Sequence, residues 1–306
     1  MRVAVFGGTG FVGGYLIDAL IASDHEPSVL VRAGSGHKLH QAERCRSVTG
    51  DLSSMSAIEA TLEACDAVIY SVGILREYPK RGITFQALQF DAVVRVAESA
   101  RARGISRFLL MSANGAKSSG TRYQETKFRA EEHVRAGGLA VTIFRPSVIF
   151  GDPRGTLEIA TQLYRDMIAR PLPAMGFFTG WSPARGKVLM SPVHVEDVAL
   201  AFVKSFDDPS AIGRTYELGG PESLAWPDML RRIAQAAGRD KWILPMPIRL
   251  MTLAATLMDR LPYFPVTRDQ LTMLSEGNTA DPTELESLIG RPARAFVPPN
   301  LAYIRA

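Results

Sequence analysis

The stretch GGTGFVGG spans residues 7–14 and follows the apolar run from Val3 to Phe6 near the start of the sequence. It precedes a stretch in which apolar residues recur at helical spacing, namely Tyr15, Leu16, Ile17 and Leu20. The order is therefore strand, glycine loop and helix. The N-terminus of such a helix presents unpaired N–H groups and a partial positive charge, and both suit a pyrophosphate. The segment predicts a dinucleotide-binding site, and the alternative is an ordinary glycine-rich turn.

The glycines of this segment have separate expected roles. Gly7 suits a tight turn, Gly10 leaves room for phosphates, and Gly13 lets the helix pack closely on the strand. Their spacing is G-x-x-G-x-x-G, which differs from the commoner G-x-G-x-x-G pattern. The residues of the segment that we expect to contact a cofactor are Gly7, Thr9, Gly10, Phe11, Val12 and Gly13.

Apolar runs alternate with amphipathic stretches through the first half of the chain. The runs are Val3 to Phe6, Ser28 to Val31, Ser47 to Thr49, Ala67 to Ser71, Phe108 to Ser112 and Val141 to Phe144. Between the fourth and fifth runs, Phe85 to Arg103 has the pattern of a long helix that ends at Gly104. The alternation predicts an α/β fold of the Rossmann type, a doubly wound parallel sheet with ligands at the carboxyl ends of its strands.

The pattern changes after Phe150, where connections rich in glycine and proline begin. We expect residues 1–150 to form the dinucleotide-binding Rossmann domain and residues 151–306 to form a smaller C-terminal lobe for a substrate or partner. Part of 187–220 is expected to return to the Rossmann core. Helical patterns come back at Trp226 to Ala237 and at Ile248 to Arg260.

Length and composition describe an ordinary globular chain. Of its 306 residues 46% are hydrophobic and 22% are charged, so neither a disordered nor a fibrous protein is indicated. The 35 basic and 31 acidic residues give a net charge of +4 without a basic run, and nucleic acid is not expected as a partner. Cys45 and Cys65 are too few for a disulfide framework and lack the further Cys or His residues of a metal site. The sequence starts directly with a strand pattern, so we expect no cleavable leader. We therefore expect no metal and a cytoplasmic location.

Arg32 follows the second apolar run, where many dinucleotide folds carry an acidic residue for the ribose hydroxyls. An arginine at this place can bind a 2'-phosphate through charge-assisted hydrogen bonds, with Lys38 as a second cation. The sequence therefore favours NADP(H) over NAD(H). Five more residues follow the next strand runs and are expected to line the adenine and the sugars of the cofactor: Asp51, Leu52, Ser71, Val72 and Gly73.

Tyr123 and Lys127 stand four residues apart in RYQETKF and would share one face of a helix. A phenol beside an ammonium can transfer a proton near neutral pH, because the charges of Lys127 and of an oxidised nicotinamide favour the phenolate. Ser112 ends the fifth strand run and is expected to polarise a substrate carbonyl. The alternative for the pair is a solvated helix face.

Several apolar positions of the second half allow more than one interpretation. His194 is expected to be structural, whereas Phe177, Phe178 and Trp181 either roof a substrate pocket or seal the smaller lobe. The segment 242–261 is interrupted by prolines and charged residues and cannot span a bilayer, so we expect a buried core helix. The alternatives for this segment are peripheral contact with a membrane or a protein complex, or the wall of an apolar substrate channel.

Together, these motifs resemble the extended or atypical short-chain dehydrogenase/reductase superfamily, which includes NAD-dependent epimerases and dehydratases. Its TGxxGxxG loop is matched in part from Thr9 onward, and its YxxxK pair is matched by Tyr123 and Lys127. RPSVIFGDP at 145–153 and PVHVEDVA at 192–199 are further matches. The resemblance implies that Lys127 also anchors the ribose and that three residues pass near the nicotinamide: Pro146, Ser147 and Val148.

Within the superfamily, YQETKFRAEE, RPSVIFGDP, YELGGPESLAW and TRDQLTML look most like one branch. This branch contains the nucleotide-binding accessory subunit of respiratory complex I and its bacterial relatives. Its mitochondrial member holds NADPH and is regarded as structural, while relatives are linked to quinone metabolism or assembly or are reductases. Two features depart from the superfamily pattern. Gln89 stands where many members have an asparagine that orders the proton relay, and the catalytic serine is open among Ser112, Ser118 and Ser119.

Two functions of different classes follow. The first is an NADPH-preferring oxidoreductase that transfers a hydride to the carbonyl or quinone-like group of an apolar substrate, with Tyr123 protonating the product oxygen. The second is a subunit that binds NADPH without turnover in a respiratory or quinone-biosynthesis complex. A sugar-nucleotide epimerase or dehydratase is a third alternative, ranked lower because the apolar lobe offers few partners for a nucleoside diphosphate. The oligomeric state is left open.

Overall fold

The computed structural model describes residues 1–258 and 268–305, with the backbone alone for 254–258. The chain divides into two compact units. The first unit comprises Met1–Pro146, Val195–Glu217 and Glu284–Gly290, and the second comprises Ser147–His194, Leu218–Thr283 and Arg291–Ala306. The domain boundary at residue 150 stays a prediction, and each unit is described by itself below.

The strands have the following bounds. They are β1 (Arg2–Phe6), β2 (Glu26–Val31), β3 (Arg46–Thr49), β4 (Ala67–Tyr70), β5 (Arg107–Met111), β6 (Ala140–Pro146), β7 (Ile149–Phe150), β8 (Ala174–Phe178), β9 (Leu189–Met190), β10 (Val193–His194), β11 (Thr215–Leu218), β12 (Leu224–Ala225) and β13 (Ile243–Pro247). The helices are α1 (Phe11–Ala22), α2 (Met55–Leu62), α3 (Ala92–Ala102), α4 (Arg122–Ala136), α5 (Ile159–Leu163), α6 (Val195–Lys204), α7 (Trp226–Ala236), α8 (Ile248–Met258), α9 (Arg268–Glu276) and α10 (Thr283–Ile289).

Seven strands form the sheet of the first unit in the order β11-β6-β5-β4-β1-β2-β3. The pairs from β3 to β6 are parallel. Omitting β11, this is the strand order of the doubly wound Rossmann fold. The predicted fold class is therefore confirmed, and each predicted strand begins within two residues of its observed start.

The inner strands are buried on both faces, which explains why they appear in the sequence as apolar runs and not as alternating apolar and polar residues. Val3 to Phe6 in β1 and Ala67 to Tyr70 in β4 have no exposed surface, because helices cover both faces of a parallel sheet. The edge strand β3 is polar and at least partly exposed at every position. Burial of these runs on both faces is the main hydrophobic contribution that holds the sheet together.

The strand order reverses between β1 and β4, which lie side by side in the register Val5↔Ile69 and Phe6↔Tyr70. The connections that follow the two strands leave in opposite directions, and a crevice opens between them at the carboxyl edge of the sheet. The glycine loop follows β1, and Ser71 follows β4. The topology therefore places both segments at the point where open α/β sheets bind ligands.

The helix predicted for 85–103 is not regular. Its first part, Gln86–Asp91, is a π-helix, and the α-helix α3 begins only at Ala92. Gln89 lies in the π-helical part and is completely buried. Such π-helical turns are frequent at functional sites, and the spacing of apolar residues alone cannot reveal one.

The core helix predicted for 242–261 is wrong for the described part of that segment. Residues 243–247 form β13, which pairs with β8, and α8 follows. Among the first six residues of α8 only Ile248 is buried, whereas Leu250 and Leu253 are more than half exposed. Residues 259–261 lie outside the described residues. No helix in the described ranges is long and apolar enough to cross a bilayer.

The second unit has its own core. Two-stranded sheets, β7 with β10, β9 with β12 and β8 with β13, surround buried side chains that include Phe150, Trp226 and Phe296. Phe177 and Phe178 are buried in this unit and also line a pocket with Ile243 and Pro245, so both predicted roles stay predictions. Trp181 is almost fully exposed.

His194 also lies in this core, as a structural residue would. Its ring contacts the edge of Phe150 at 5.0 Å between centroids. Burial, with Arg294 and Arg291 nearby, lowers the pKa of His194 to about 4. The ring is therefore neutral at physiological pH and packs as an aromatic side chain.

Candidate functional site

The N-terminus of α1 forms an open cradle. Gly10 is the N-cap residue, and its N–H donates to the Gly7 carbonyl at 3.0 Å. The next N–H groups start the helix and point outward without intrahelical acceptors. A Cβ built on Gly10 would meet only one atom within 4 Å, the Gly7 oxygen at 3.3 Å. The space in front of Gly10 is therefore open, and it has the donors and the helix dipole that a pyrophosphate needs.

Gly13 and Gly7 serve the fold of the same loop. A Cβ on Gly13 would lie 2.0 Å from the Gly7 oxygen, so only glycine lets α1 approach the loop. Gly7 has a φ of +105°, and a Cβ there would lie 2.7 Å from Ser71 Oγ. Ser71 donates from its N–H and its hydroxyl to the Phe6 carbonyl, at 2.9 and 3.1 Å. The structure thus brings the glycine loop and the start of 71–73 together.

Lys127 closes the site from α4. This helix begins with a capping box in which Thr121 and Gln124 exchange hydrogen bonds, so its start is fixed. The Lys127 amine donates to the carbonyl of Met111 at 3.0 Å and to that of Val72 at 3.4 Å. Burial lowers the pKa of Lys127 to about 8, although the charge of Glu131 opposes that shift. The predicted positions 72, 73, 112 and 127 are therefore neighbours in the structure.

Tyr123 shares the face of α4 that carries Lys127, one turn earlier. Its ring is partly buried and meets the edge of Phe85 at 5.6 Å between centroids. Burial raises the pKa of Tyr123 to about 12. The lowered pKa that the sequence predicts requires Lys127 and an oxidised nicotinamide together; in the protein alone, removal of the phenol from water raises the pKa. Tyr123 therefore holds its proton at neutral pH, which is the form that a proton donor needs.

Ser112 is tied to a buried ion pair that the sequence analysis missed. Its hydroxyl donates to Glu131 Oε1 at 2.5 Å, and Glu131 has no exposed surface. Arg145 binds both oxygens of Glu131, from Nε at 2.9 Å and from Nη2 at 2.7 Å. A substrate carbonyl would need the same Ser112 proton, so the predicted polarising role requires this bond to break. The sequence contains a signal for this ion pair. Glu131 lies four residues after Lys127, on the same face of the helix, and Arg145 is the first residue of the RPSV motif.

Ser118 and Ser119, the other two serines left open, are both exposed. They lie in the loop that precedes α4, six and seven residues after Ser112. Within the described part of the chain, no hydrogen bond orients the hydroxyl group of Ser118 or Ser119 toward the site, so a catalytic role of either serine stays a prediction.

Gln89 joins two walls of the site. Its amide nitrogen donates to the Ile74 carbonyl at 2.8 Å, and its amide oxygen accepts from the Thr126 hydroxyl at 3.2 Å. Ile74 follows the 71–73 segment, and Thr126 precedes Lys127 in α4. Gln89 thus holds the loop after β4 against the helix that carries Tyr123, with both ends of its amide engaged.

The residues expected at the adenine end follow β2 and β3. Arg32 and Lys38 are exposed, and Arg32 is close enough to Asp51 to help hold its charge. Hydrogen bonds from Ser53, with a smaller effect of Arg32, lower the pKa of Asp51. Leu52 accepts a hydrogen bond from Arg95 at its carbonyl and packs on the core of the first unit. Arg32 therefore presents a guanidinium at the carboxyl end of β2, and the carboxylate of Asp51 lies nearby.

Pro146, Ser147 and Val148 lie where β6 ends and the second unit begins. Pro146 accepts the N–H of Asn114 at 3.0 Å within the first unit. Within the second unit, the Ser147 hydroxyl donates to the Asn278 carbonyl at 2.8 Å, and Val148 accepts the N–H of Val193. Their predicted contact with the nicotinamide stays a prediction.

The fold and the glycine loop define an NAD(P)-binding protein of the short-chain dehydrogenase/reductase type, and comparison with known sequences agrees. Residues 7–170, more than half of the chain, match the NAD(P)H-binding family, and the chain belongs to it. The predicted superfamily is thereby confirmed, and its cofactor is a nicotinamide dinucleotide. The match covers the glycine loop from Gly7, the Tyr123 and Lys127 pair, and the RPSV motif.

Two relatives are similar over most of the chain. Subunit 9 of the NADH dehydrogenase (ubiquinone) 1 alpha subcomplex, a mitochondrial protein of Mus musculus, is 25% identical over 296 residues, 93% of this chain and 74% of that protein. The ceramide reductase of Caulobacter vibrioides is 28% identical over 269 residues, 84% of this chain and 77% of that protein. The relatives thus include a protein named as a subunit of an NADH dehydrogenase and a protein named as a reductase.

A solved structure supports the fold. The UDP-glucuronic acid 4-epimerase from Bacillus cereus, in complex with UDP-glucuronic acid and NAD, superposes with a TM-score of 0.75 over 100% of this chain and 98% of that chain. The sequences are 15% identical, so the likeness concerns the fold alone.

Proposed function

We propose that this protein is an NADPH-dependent oxidoreductase that reduces a carbonyl or quinone-like group of an apolar substrate. The observation that carries the proposal is the placement of Tyr123 and Lys127 on one helix face at the carboxyl edge of the sheet. Lys127 is buried and reaches two backbone carbonyls, while Tyr123 holds a proton. A solvated helix face would show neither the buried amine nor its bonds to β5 and to the loop after β4.

The protein's residues have separate roles in this reaction. The cradle at Gly7, Gly10 and Gly13 fits a pyrophosphate, and the dinucleotide supplies a hydride when bound. Tyr123 gives its proton to the oxygen of the substrate as negative charge develops there. Lys127 places a positive charge beside Tyr123, which makes the phenol a stronger acid, and it offers donors to the ribose.

A preference for NADP(H) rests on Arg32. A guanidinium can form two parallel hydrogen bonds with a phosphate, and Arg32 is exposed at the end of β2 with Lys38 six residues later. The nearby carboxylate of Asp51 already forms two hydrogen bonds with Ser53, at 2.8 and 2.5 Å. It therefore competes less for Arg32 than a carboxylate without partners would.

The deciding experiment is NADPH oxidation by the purified protein with a panel of quinones, aldehydes and ketones, with NADH in parallel. We expect consumption of NADPH with at least one acceptor, and a loss of at least about a hundredfold in Tyr123→Phe, which is typical for removal of a general acid. Tyr216→Phe is the control, because Tyr216 is a buried tyrosine of β11 in the first unit and stacks on Phe144. Consumption that persists in Tyr123→Phe would refute the assigned role.

A second candidate is a subunit that binds NADPH without turnover and associates with other proteins of a respiratory or quinone-biosynthesis complex. Two observations favour it: Gln89 replaces the expected asparagine and uses its whole amide in packing, and the Ser112 proton is committed to Glu131. The respiratory complex subunit from mouse is a relative. Tight NADPH binding without consumption across the panel would support this candidate over the reductase.

The third candidate, a sugar-nucleotide epimerase or dehydratase, separates from both in the same experiment. Such an enzyme recycles its hydride and shows no net consumption of added NADPH, but it converts a UDP-sugar into its epimer or dehydration product. Adding UDP-glucose and UDP-glucuronic acid to the panel, with chromatography of the products, tests this alternative.

A further inference from the structure

Two segments of the second unit contain more basic than acidic residues. Residues 165–187 contain four basic residues and one acidic residue, and residues 239–253 contain three basic residues and one acidic residue. Together they carry a net charge of +5, whereas the whole chain carries +4. Other parts of the chain are basic too, for example 101–129 with seven basic residues and one acidic residue. The two segments of the second unit differ in that they also expose large apolar side chains.

The fold joins these two segments. β8 and β13 pair in parallel from Ile243↔Ala174 to Pro247↔Phe178. Before the strands, the Lys241 amine donates to the Arg170 carbonyl. Beyond them, the Arg249 guanidinium lies 5.6 Å from the centre of the Trp181 ring. The seven basic side chains therefore belong to one continuous part of the second unit, and six of the seven are exposed: Arg165, Arg170, Arg185, Lys187, Arg239 and Arg249.

Large apolar side chains lie among these cations. Trp181 is 94% exposed and Trp242 is 79% exposed. Leu172, which lines a groove with Trp242, Arg170 and Arg239, is also mostly exposed. We call this region, formed by the exposed basic and apolar side chains of 165–187 and 239–253, the basic apolar face.

Helix α8 extends the basic apolar face. Leu250 and Leu253 are one turn apart and both more than half exposed, so they form an apolar stripe on the solvent side of the helix. Ile248 and Met251 pack on the core of the second unit from the other side. The exposed leucines are thus not needed to attach α8 to its own unit, and their exposure costs free energy in water unless another surface covers them.

We infer that the basic apolar face binds the surface of a bilayer that contains anionic lipids. Tryptophan side chains favour the headgroup region, leucines enter the acyl boundary, and arginines and lysines bind lipid phosphates. The face offers all three kinds of side chain. Leu250 and Leu253 are exposed on one side of α8 with Arg249 next to them, which is the pattern of a helix that lies on a membrane surface. This pattern favours an anionic lipid surface as the occupant.

The test is cosedimentation of the full chain with vesicles of phosphatidylcholine, alone or with phosphatidylserine. We expect binding to the anionic vesicles only, and weaker binding as the salt concentration rises. The triple variant Arg185→Gln, Lys187→Gln and Arg249→Gln should bind at least roughly tenfold more weakly, because each cation near an anionic surface contributes about fivefold. The double variant Leu250→Gln and Leu253→Gln should also bind at least roughly tenfold more weakly, since each leucine buries apolar area.

The controls are Ile212→Gln and Arg101→Gln, which replace an exposed isoleucine and an exposed arginine of the first unit. Both should bind anionic vesicles like the unaltered protein. Thermal unfolding of every variant checks that the fold is retained. Failure of the unaltered protein to bind anionic vesicles would overturn the inference and leave a protein partner as the occupant. Equal binding by the triple, double and control variants would overturn the assignment to this face. Neither result would depend on whether the protein oxidises NADPH.

Discussion

Two glycines in one loop should respond in opposite ways to the same substitution. At Gly13 a Cβ would lie 2.0 Å from the Gly7 oxygen and 2.7 Å from the Gly8 Cα, so the backbone itself has to move. At Gly10 the nearest atom would be 3.3 Å away, and the backbone angles, φ −88° and ψ 175°, suit alanine. Gly13→Ala is therefore expected to damage the fold, whereas Gly10→Ala is expected to damage the binding of NADPH.

The magnitudes follow from these distances. Contacts of a Cβ below 3.0 Å are essentially never seen, so Gly13→Ala must displace the Gly7 oxygen by about 1 Å, and overpacking of this kind costs roughly 3 kcal/mol. For Gly10→Ala, the lower entropy of the unfolded chain stabilises by about 0.7 kcal/mol, and the poorer N-cap costs about as much. Its net effect on stability is therefore near zero. A methyl group in the cradle should weaken NADPH at least tenfold, about 1.4 kcal/mol.

Thermal unfolding with and without NADPH, together with a fluorescence titration of NADPH, measures both effects. At a concentration of 100 times its Kd, NADPH should stabilise the unaltered protein by about 2.7 kcal/mol, and Gly10→Ala at the same concentration by at most about half as much. Gly137→Ala, whose Cβ would meet ordinary contacts of 3.4 and 3.6 Å at the end of α4, should leave NADPH binding unchanged and raise the stability by less than about 1 kcal/mol. The reasoning fails if Gly10→Ala binds NADPH within twofold of the unaltered protein, or if Gly13→Ala is as stable as Gly10→Ala.

Three further outcomes are expected. Arg32→Ser should raise the Kd of NADPH about tenfold and leave that of NADH unchanged, because it removes a charged hydrogen bond to the 2'-phosphate alone. An equal rise of the two Kd values in fluorescence titrations would contradict this. Since Lys127 has a folded pKa of about 8 against 10.5 unfolded, the unfolded chain binds more protons between these values. The unaltered protein should therefore gain stability over Lys127→Met as pH rises from 8 to 10.5, and a constant difference in urea unfolding would argue against the buried amine. Glu131→Gln should cost about 3 kcal/mol of unfolding free energy by leaving Arg145 without its carboxylate, and the exposed neighbour variant Glu132→Gln less than about 0.5; similar urea midpoints for the two would refute the ion pair.

The first half of the fold could be predicted because its signals are local. A central parallel strand is buried on both faces and appears as an apolar run, so β1, β2, β4, β5 and β6 stand out in the sequence. The segment 242–261 gave no such signal. Its apolar content fits a buried helix as well as it fits a strand followed by an exposed helix. Whether Leu250 and Leu253 face a core depends on which strand β13 pairs with. Pairing between β8 and β13 joins residues almost seventy positions apart, and spacing within either segment does not contain that information.

For the site, too, the local motifs could be predicted from the sequence and the tertiary contacts could not. Short motifs identified the glycine loop and the Tyr123 and Lys127 pair, because their geometry depends on one loop and one helix. The hydrogen bond from Ser112 to Glu131 depends on how α4 packs against β5, and the bond from Gln89 to Ile74 depends on a π-helical turn. Both are tertiary contacts. In the protein alone, burial raises the pKa of Tyr123, and this tertiary effect is not visible in the sequence. The predicted phenolate beside an oxidised nicotinamide stays a prediction.

The buried charges beside the site form an alternating row that explains how Lys127 can stay protonated. Glu131 lies one turn after Lys127, Arg145 binds both oxygens of Glu131, and Glu217 lies 3.6 Å from Arg145 at the surface. Burial alone favours the neutral amine, and Glu131 is the group that opposes this effect. Arg145 binds both oxygens of Glu131 and fixes its carboxylate, so Arg145 acts on Lys127 through Glu131. The positive charge beside Tyr123 thus depends on a residue of β6 as well as on the helix that carries the pair, and a search for YxxxK alone would find the amine without the groups that keep it charged.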